Sequence, residues 1–402
     1  MQPELAHTLL ERFGSPLYVY TTAGLAEAYA AFAGAFDYAP CELHYAIVCN
    51  SNPQLVNRLY RLGAGVHANS PGDAWLALQA GVPAAEIMYS GTNLNAEDLD
   101  FLLAHGIALN LDSLQQVAAV LAHPHCPAQL GLRYLIDEPD KGNRIGVDAA
   151  ELAQALDLCT AAGVELAGLH MYAGTNNLSA ERFLACFERL AQAAESLPRL
   201  AYLNLGGGYG IAYQPGQRPL ELEAIGRRVC ERMEAISQAR GYRVRLILEP
   251  GRFLVGNAGC LLTTVVSVKQ RAERRFIGVD TTVGNIVVPS VYHPYHGLEA
   301  LTPRGEALAL PTDVCGNTTH SRDFIGRNLQ LPELEPGDVL VLRDVGAYAY
   351  AMSSHFLNRP RPAEVVLDGD AVHLSRRRET WSDLAALQAG EPLAESAGSM
   401  SS

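Results

Sequence analysis

Three short segments place reactive side chains where an apolar run gives way to a turn. LILEPGRFLVG (246–256) ends such a run on Glu249 and continues with Pro250, Gly251 and Arg252. A carboxylate fixed there can keep a heteroaromatic ring nitrogen protonated, which makes the ring a better electron sink. A purely structural Glu–Arg pair fits the same letters. LNLGGGYGIAY (203–213) passes from an apolar run straight into Gly206, Gly207 and Gly208. Backbone amides without side chains can approach a phosphate closely, and tight strand–loop packing also calls for glycine. GLHMYAGTN (168–176) gathers His170, Tyr172 and Thr175 at one run's end. A lone histidine there is usually a satisfied core residue; three such groups together point to a ligand. GxGxxG is absent, so a dinucleotide fold gains no support.

The elements that must carry these segments follow one alternation. Apolar runs fall at 43–48, 65–69, 86–90, 107–111, 129–135, 166–172, 200–205 and 244–249, with stretches such as NPQLVNRLYRLGA and AERFLACFERLAQAAE between them. Apolar residues in those stretches recur at i, i+3, i+4 and i+7, the helical period. Eight strands alternating with helices predict a closed (β/α)8 barrel, with chemistry at the C-terminal strand ends. An open doubly wound sheet is the alternative. The wide gap from 205 to 244 calls for an insertion. Beyond about residue 260, CLLTTVVSVKQ, RRFIGVD, DVLVLRD and AEVVLDG are β-branched runs split by short polar turns. They predict an antiparallel β-domain, which the early PLYVYT joins. The expected division is a barrel over 23–258, a β-domain from 1–22 with 259–382, and a loose tail over 383–402.

The chain has 402 residues and a formal net charge of −13. That length allows two domains and a sizeable core. The charge argues against nucleic acid or an anionic membrane as partner. No apolar run is long enough to span a bilayer, and the N-terminus lacks a basic segment followed by an apolar one. The eight cysteines are scattered singly, without the paired spacing of a zinc ribbon. These features predict a cytoplasmic protein with reduced thiols and no metal site. Only Lys141 and Lys269 are available as lysines.

From PLYVY to RPRPAEVVL, roughly 16–367, the chain resembles the fold-type III pyridoxal-phosphate decarboxylases, the ornithine/diaminopimelate/arginine decarboxylase-like group with an alanine-racemase-like barrel. HYAIVCNSNPQLVNRL resembles Y-A-x-K-A-N, and LGAGVHANSPGDAWLAL resembles G-x-D-x-x-S-x-G-E. NRIGV, GLHMYAGTN, LNLGGGYG, EPGRFLVG, VDTTVGNIVVPSVYHPYH, VCGNTTHSRDFIGR and DVGAYAYAMSSHFLNRPRPAEVVL follow in the family's order. The resemblance implies a carbon–carbon lyase acting on an amino acid with pyridoxal phosphate. It places Gly206, Gly207 and Gly208 at the phosphate, with Arg252 nearby and Thr175 where a serine is usual. Glu249 matches the partner of the pyridine nitrogen. Tyr172 stands in for a histidine stacked on the ring, and Tyr348 reaches the cofactor from the β-domain. It also implies a head-to-tail homodimer, in which the segment holding Asp323 completes the neighbour's pocket.

The departures bear on mechanism. Val48 occupies the position of the lysine that forms an imine with the cofactor, so a noncovalent cofactor is expected. Thr319 replaces the cysteine that protonates the α-carbon, which leaves His320 or His67 as proton donors. His67 itself replaces an aspartate. Val288 replaces an arginine that helps read a distal carboxylate, whereas Asp323 is retained and could contact a distal ammonium. A cofactor-holding homologue without turnover, and another pyridoxal reaction such as racemisation, remain alternatives.

Overall fold

The computed structural model describes residues 1–136, 143–291, 295–386 and 388. Lys141 and most of the expected tail lie outside the described residues. The first strand, β1 (Leu17–Thr21), precedes eight parallel strands. These are β2 (Cys41–Ala46), β3 (Gly65–Ala68), β4 (Ile87–Tyr89), β5 (Ala108–Leu111), β6 (Gln129–Arg133), β7 (Glu165–His170), β8 (Tyr202–Asn204) and β9 (Arg245–Leu248). They close on themselves, with β2 hydrogen-bonded to both β3 and β9. All eight apolar runs of the sequence are barrel strands, and the open-sheet alternative falls because β9 pairs back onto β2. The 205–244 gap holds no additional domain. A loop leads into one long helix, Leu222–Arg240.

Helices start soon after the strand ends because the turns carry caps. Asn52 accepts the Gln54 amide with Pro53 beginning the helix, and Ser70 accepts the Asp73 amide with Pro71 in the same place. Asp148 and Glu151 form a reciprocal capping box. Each cap satisfies amides that the first helical turn leaves free.

The barrel interior is filled rather than hollow. The Tyr202 ring crosses it, and its hydroxyl donates to Asn110 Oδ1 at 2.7 Å. The ring fits because two neighbouring strands carry glycine. A Cβ at Gly168 would lie 2.2 Å from Tyr202 Cζ, and one at Gly131 would lie 1.9 Å from its hydroxyl. Met88 and Ile247 pack with this ring beneath the strand ends that hold Asn204, His170 and Glu249.

The second sheet contains β1, β10 (Gly259–Arg271), β11 (Arg274–Val279), β12 (Leu298–Ala300), β13 (Thr312–Cys315), β14 (Phe324–Leu329), β15 (Val339–Leu342), β16 (Ala363–Asp368) and β17 (Ala371–Arg376). Most pairings are antiparallel, while β1–β16 and β11–β13 are parallel. The sheet reaches the barrel mouth through the turn after β15. There the Tyr348 amide donates to Cys49 O at 2.8 Å, and Asn50 Nδ2 donates to Gly346 O at 3.0 Å.

Gly168→Ala should lower the melting temperature strongly, since overpacking a filled core costs about 1–3 kcal/mol or more. Adding Tyr202→Leu should recover part of that loss by vacating the space. If Gly168→Ala and the double variant melt alike, the ring is not what demands glycine.

Candidate active site

At the C-terminal mouth lies a cavity of about 250 Å³. Val48, His67, Tyr172, Thr175, Gly207, Gly208, Glu249, Arg252 and Tyr348 line it together. Gly206 stands directly behind, its carbonyl accepting the Glu249 amide at 2.9 Å. Sequence reasoning did not single out Arg133, Ser90 or Asn204. Arg133 and Ser90 line the cavity, and Asn204 holds Glu249. A charged or amide side chain ending an apolar strand was the available signal for Arg133 and Asn204.

Glu249 follows β9 and is 1% exposed. Oε1 accepts from Asn204 Nδ2 at 2.6 Å, and Oε2 lies 3.0 Å from His170 Nε2 and 3.4 Å from His67 Nε2. Burial works to raise its pKa, but the two imidazoles and the His170 and Asn204 hydrogen bonds outweigh it and bring the carboxyl down to about 2. His67 moves the other way. Burial, only partly offset by Glu249, pushes its imidazole down to about 4. At neutral pH the site therefore holds an ionised Glu249 and a neutral His67, with His67 Nε2 also 3.1 Å from Ser90 Oγ.

The glycine loop beside Glu249 offers groups suited to an anion. Gly206 and Gly208 have φ of +62° and +99°, and a Cβ at Gly208 would meet Gly174 O at 2.3 Å. Glycine is thus required for the loop to pack against the neighbouring strand end. Among the described residues the Gly207 and Gly208 amides have no hydrogen-bond acceptor, which leaves two donors for a ligand. Arg252 adds positive charge. Its Nη1 donates to the Tyr213 hydroxyl at 2.5 Å, and its guanidinium stands 4.6 Å from the Tyr348 ring centroid. Tyr348 itself has φ +59°, a conformation costly for a bulky side chain and typical of constrained functional positions. Tyr172 bonds Thr175 Oγ1 at 2.8 Å, while the Arg133 guanidinium lies 5.6 Å from the Tyr172 ring centroid.

Val48 follows β2 on a short 3-10 turn and is 37% exposed. Lys269 is exposed on β10, away from the cavity. Thr319 and His320 are exposed on the β13–β14 loop and do not line this cavity of their own chain. Asp323 departs from the expected substrate contact. Its carboxylate is buried and accepts the Val283 amide at 2.7 Å, the Thr318 amide at 2.9 Å and the Thr318 hydroxyl. Those bonds commit it to its own loop.

A parallel barrel with a carboxylate at one strand end, free amides lining the same cavity and a tyrosine delivered by a second sheet defines a holder of a phosphorylated pyridine cofactor. Residues 23–256 match the family described as "Pyridoxal-dependent decarboxylase, pyridoxal binding domain". The chain is 32% identical to the diaminopimelate decarboxylase of Methanothermobacter thermautotrophicus, covering 94% of this chain and 92% of that one. It is 34% identical to the Pseudomonas aeruginosa diaminopimelate decarboxylase, covering 96% and 94%. The Helicobacter pylori diaminopimelate decarboxylase complexed with L-lysine superposes with a TM-score of 0.87 at 27% identity, over 95% of this chain and 99% of that one. This chain belongs to the pyridoxal-phosphate-dependent decarboxylase family. Its cofactor class is pyridoxal phosphate and its reaction class is that of the carboxy-lyases. Among the described residues no helix is long and apolar enough to cross a membrane.

The titration of this site has a sign. The unfolded chain protonates His67 near its ordinary 6.5, while the folded chain resists until about 4. Proton uptake below pH 6.5 therefore favours unfolding, by up to about 1.4 kcal/mol per pH unit. Glu249 continues the trend, since the unfolded carboxyl protonates near 4.5 and the folded one near 2. Melting curves from pH 7 to 4 should show stability falling with pH, with a shallower fall for His67→Gln. Equal slopes would show that His67 is not the responsible group.

Proposed function

We propose that this chain is an amino-acid decarboxylase holding pyridoxal phosphate without a covalent bond, and that it works as a head-to-tail homodimer. The observation that carries this is Val48. It lines a cavity together with Tyr172, Thr175, Gly207, Gly208, Glu249, Arg252 and Tyr348, and it offers neither an amine nor a proton. The Gly207 and Gly208 amides, Arg252, Thr175 and Tyr348 would hold the phosphate. Glu249 would face the ring nitrogen, and Tyr172 would flank the ring. When bound, the cofactor supplies an electron sink for the bond to the departing carboxylate.

The chain's own residues do the rest. Glu249, ionised at neutral pH, holds a proton on the group opposite it. Neutral His67 keeps one ring proton and serves as a hydrogen-bonding wall with Ser90; its low pKa removes it as an acid near pH 7. The proton for the α-carbon then falls to the loop of a partner subunit, with His320 as donor beside Thr319. Both are exposed and outside their own cavity, as a loop that serves a neighbour requires. Asp323 shapes that loop rather than touching substrate.

Next to the cavity, and sharing Thr175, Asn176, Arg252 and Tyr348 with it, is a chamber of about 360 Å³ completed by Tyr213, Val288 and Met352. No acidic side chain lines it among the described residues, and Arg252 is already engaged by Tyr213 and Tyr348. Such walls favour an amino acid with a large uncharged side chain over one ending in an ammonium. That departs from the relatives whose complexes hold L-lysine. Val48 also favours a second reading, a cofactor-holding relative without turnover.

Borohydride reduction should leave no pyridoxyl adduct on the wild-type protein, whereas Val48→Lys should gain one at residue 48. A wild-type adduct at either lysine would refute noncovalent binding. Aromatic and large aliphatic amino acids should perturb the cofactor absorbance more than lysine or ornithine does. Carbon dioxide release over many turnovers separates the decarboxylase from the silent holder, since only the former produces it.

A further inference from the structure

Glu249 is a buried carboxylate whose contacts are the Asn204 amide and the His170 and His67 imidazoles. Among the described residues no lysine or arginine lies within 4 Å of it. A buried carboxylate with no lysine or arginine beside it leaves room for an occupant that brings positive charge. In the family that occupant is a ring nitrogen. Here the departure at position 67 adds something else. The donor atoms of His67, His170 and Glu249 all lie within 4.8 Å of one another, and all three residues are buried. They stand at or just past the ends of β3, β7 and β9.

We propose that His67, His170 and Glu249 form a binding site for a divalent transition-metal ion, and that this ion and pyridoxal phosphate exclude one another. The donor set is two imidazoles and one carboxylate, the kind that binds zinc or cobalt with positions left open. The spacing is suitable: ligands at zinc bond lengths around a tetrahedron sit about 3.3 Å apart, and Oε2 of Glu249 lies 3.0 and 3.4 Å from the two Nε2 atoms. The remaining coordination positions open onto the cavity, where water or a substrate oxygen can occupy them. Asn204 steadies the other carboxylate oxygen. Ion binding requires the ring protons to sit on Nδ1, and among the described residues both Nδ1 atoms are buried without a hydrogen-bond partner. Lacking that outer support, the site binds about 10- to 100-fold more weakly than a fully buttressed one. It is a loadable site rather than a structural one. The metal site rests on geometry alone; the exclusion also rests on the reading that Glu249 faces the cofactor ring.

The test is a titration of the full chain with Co²⁺, followed by visible absorption, with Zn²⁺ as competitor. The expected result is one saturable Co²⁺ per chain, displaced by Zn²⁺ and weakened at least tenfold in His67→Asn and in Glu249→Gln. Melting temperature without metal checks that each variant folds, and His67→Asp provides a further variant at the same position. Wild-type affinity and spectrum retained in a folded position-67 variant, or no saturable binding by wild type, overturns the site. Prior loading with pyridoxal phosphate should suppress the cobalt spectrum. An unchanged spectrum on the loaded protein overturns the exclusion and the placement of Glu249 against the ring, while leaving the metal site intact. Failure of pyridoxal phosphate to bind at all counts against the decarboxylase reading and leaves the cobalt result standing.

Discussion

An ionised carboxylate sealed at the end of a barrel strand is the constraint around which this molecule is arranged. Glu249 keeps its charge in a place where burial opposes it, and only donors aimed from three different strands make that possible. Asn204, His170 and His67 arrive from β8, β7 and β3, so the barrel must close before the site exists. The filled interior below, with Tyr202 spanning it, gives those strand ends a fixed floor. Precise placement of a charge by a rigid scaffold is what electrostatic catalysis and cofactor tuning require.

The second sheet supplies what the barrel cannot. Its turn at Gly346–Tyr348 is pinned to the barrel by two hydrogen bonds, and Tyr348 adopts an unfavourable backbone conformation there. Arg252 lies between the Tyr348 and Tyr213 rings, so one guanidinium links the anion wall to the side chamber. With Val288 where an arginine was expected, that chamber holds one cation, already engaged, among uncharged walls that include Thr175, Asn176 and Met352.

Much of the fold was legible because barrel strands are buried on both faces and stand out as apolar runs. All eight were found, and PLYVYT was correctly assigned to the later sheet. Glu249 and the glycine loop could be read because each interrupts such a run. Other features left no local mark. Arg133 and Ser90 belong to the site only through barrel closure. His67 and His170 are 103 positions apart in sequence, and no spacing rule pairs them. Asp323 was misleading for a physical reason: retention of a carboxylate says nothing about whether it faces a ligand or its own backbone.

The place of β1 in the sheet has a consequence for biosynthesis. This strand, made before any barrel strand, pairs with β10 on one side and with β16 on the other. Its second neighbour ends at Asp368. During synthesis the barrel sequence is complete while β1 still lacks both partners, and its place in the sheet can close only after Asp368 has left the ribosome. Domains usually fold as they emerge; here the N-terminal segment must wait. The nascent chain therefore carries an unpaired strand, buried at four of its five positions once folded, throughout synthesis of the barrel, a period in which chaperone protection matters most.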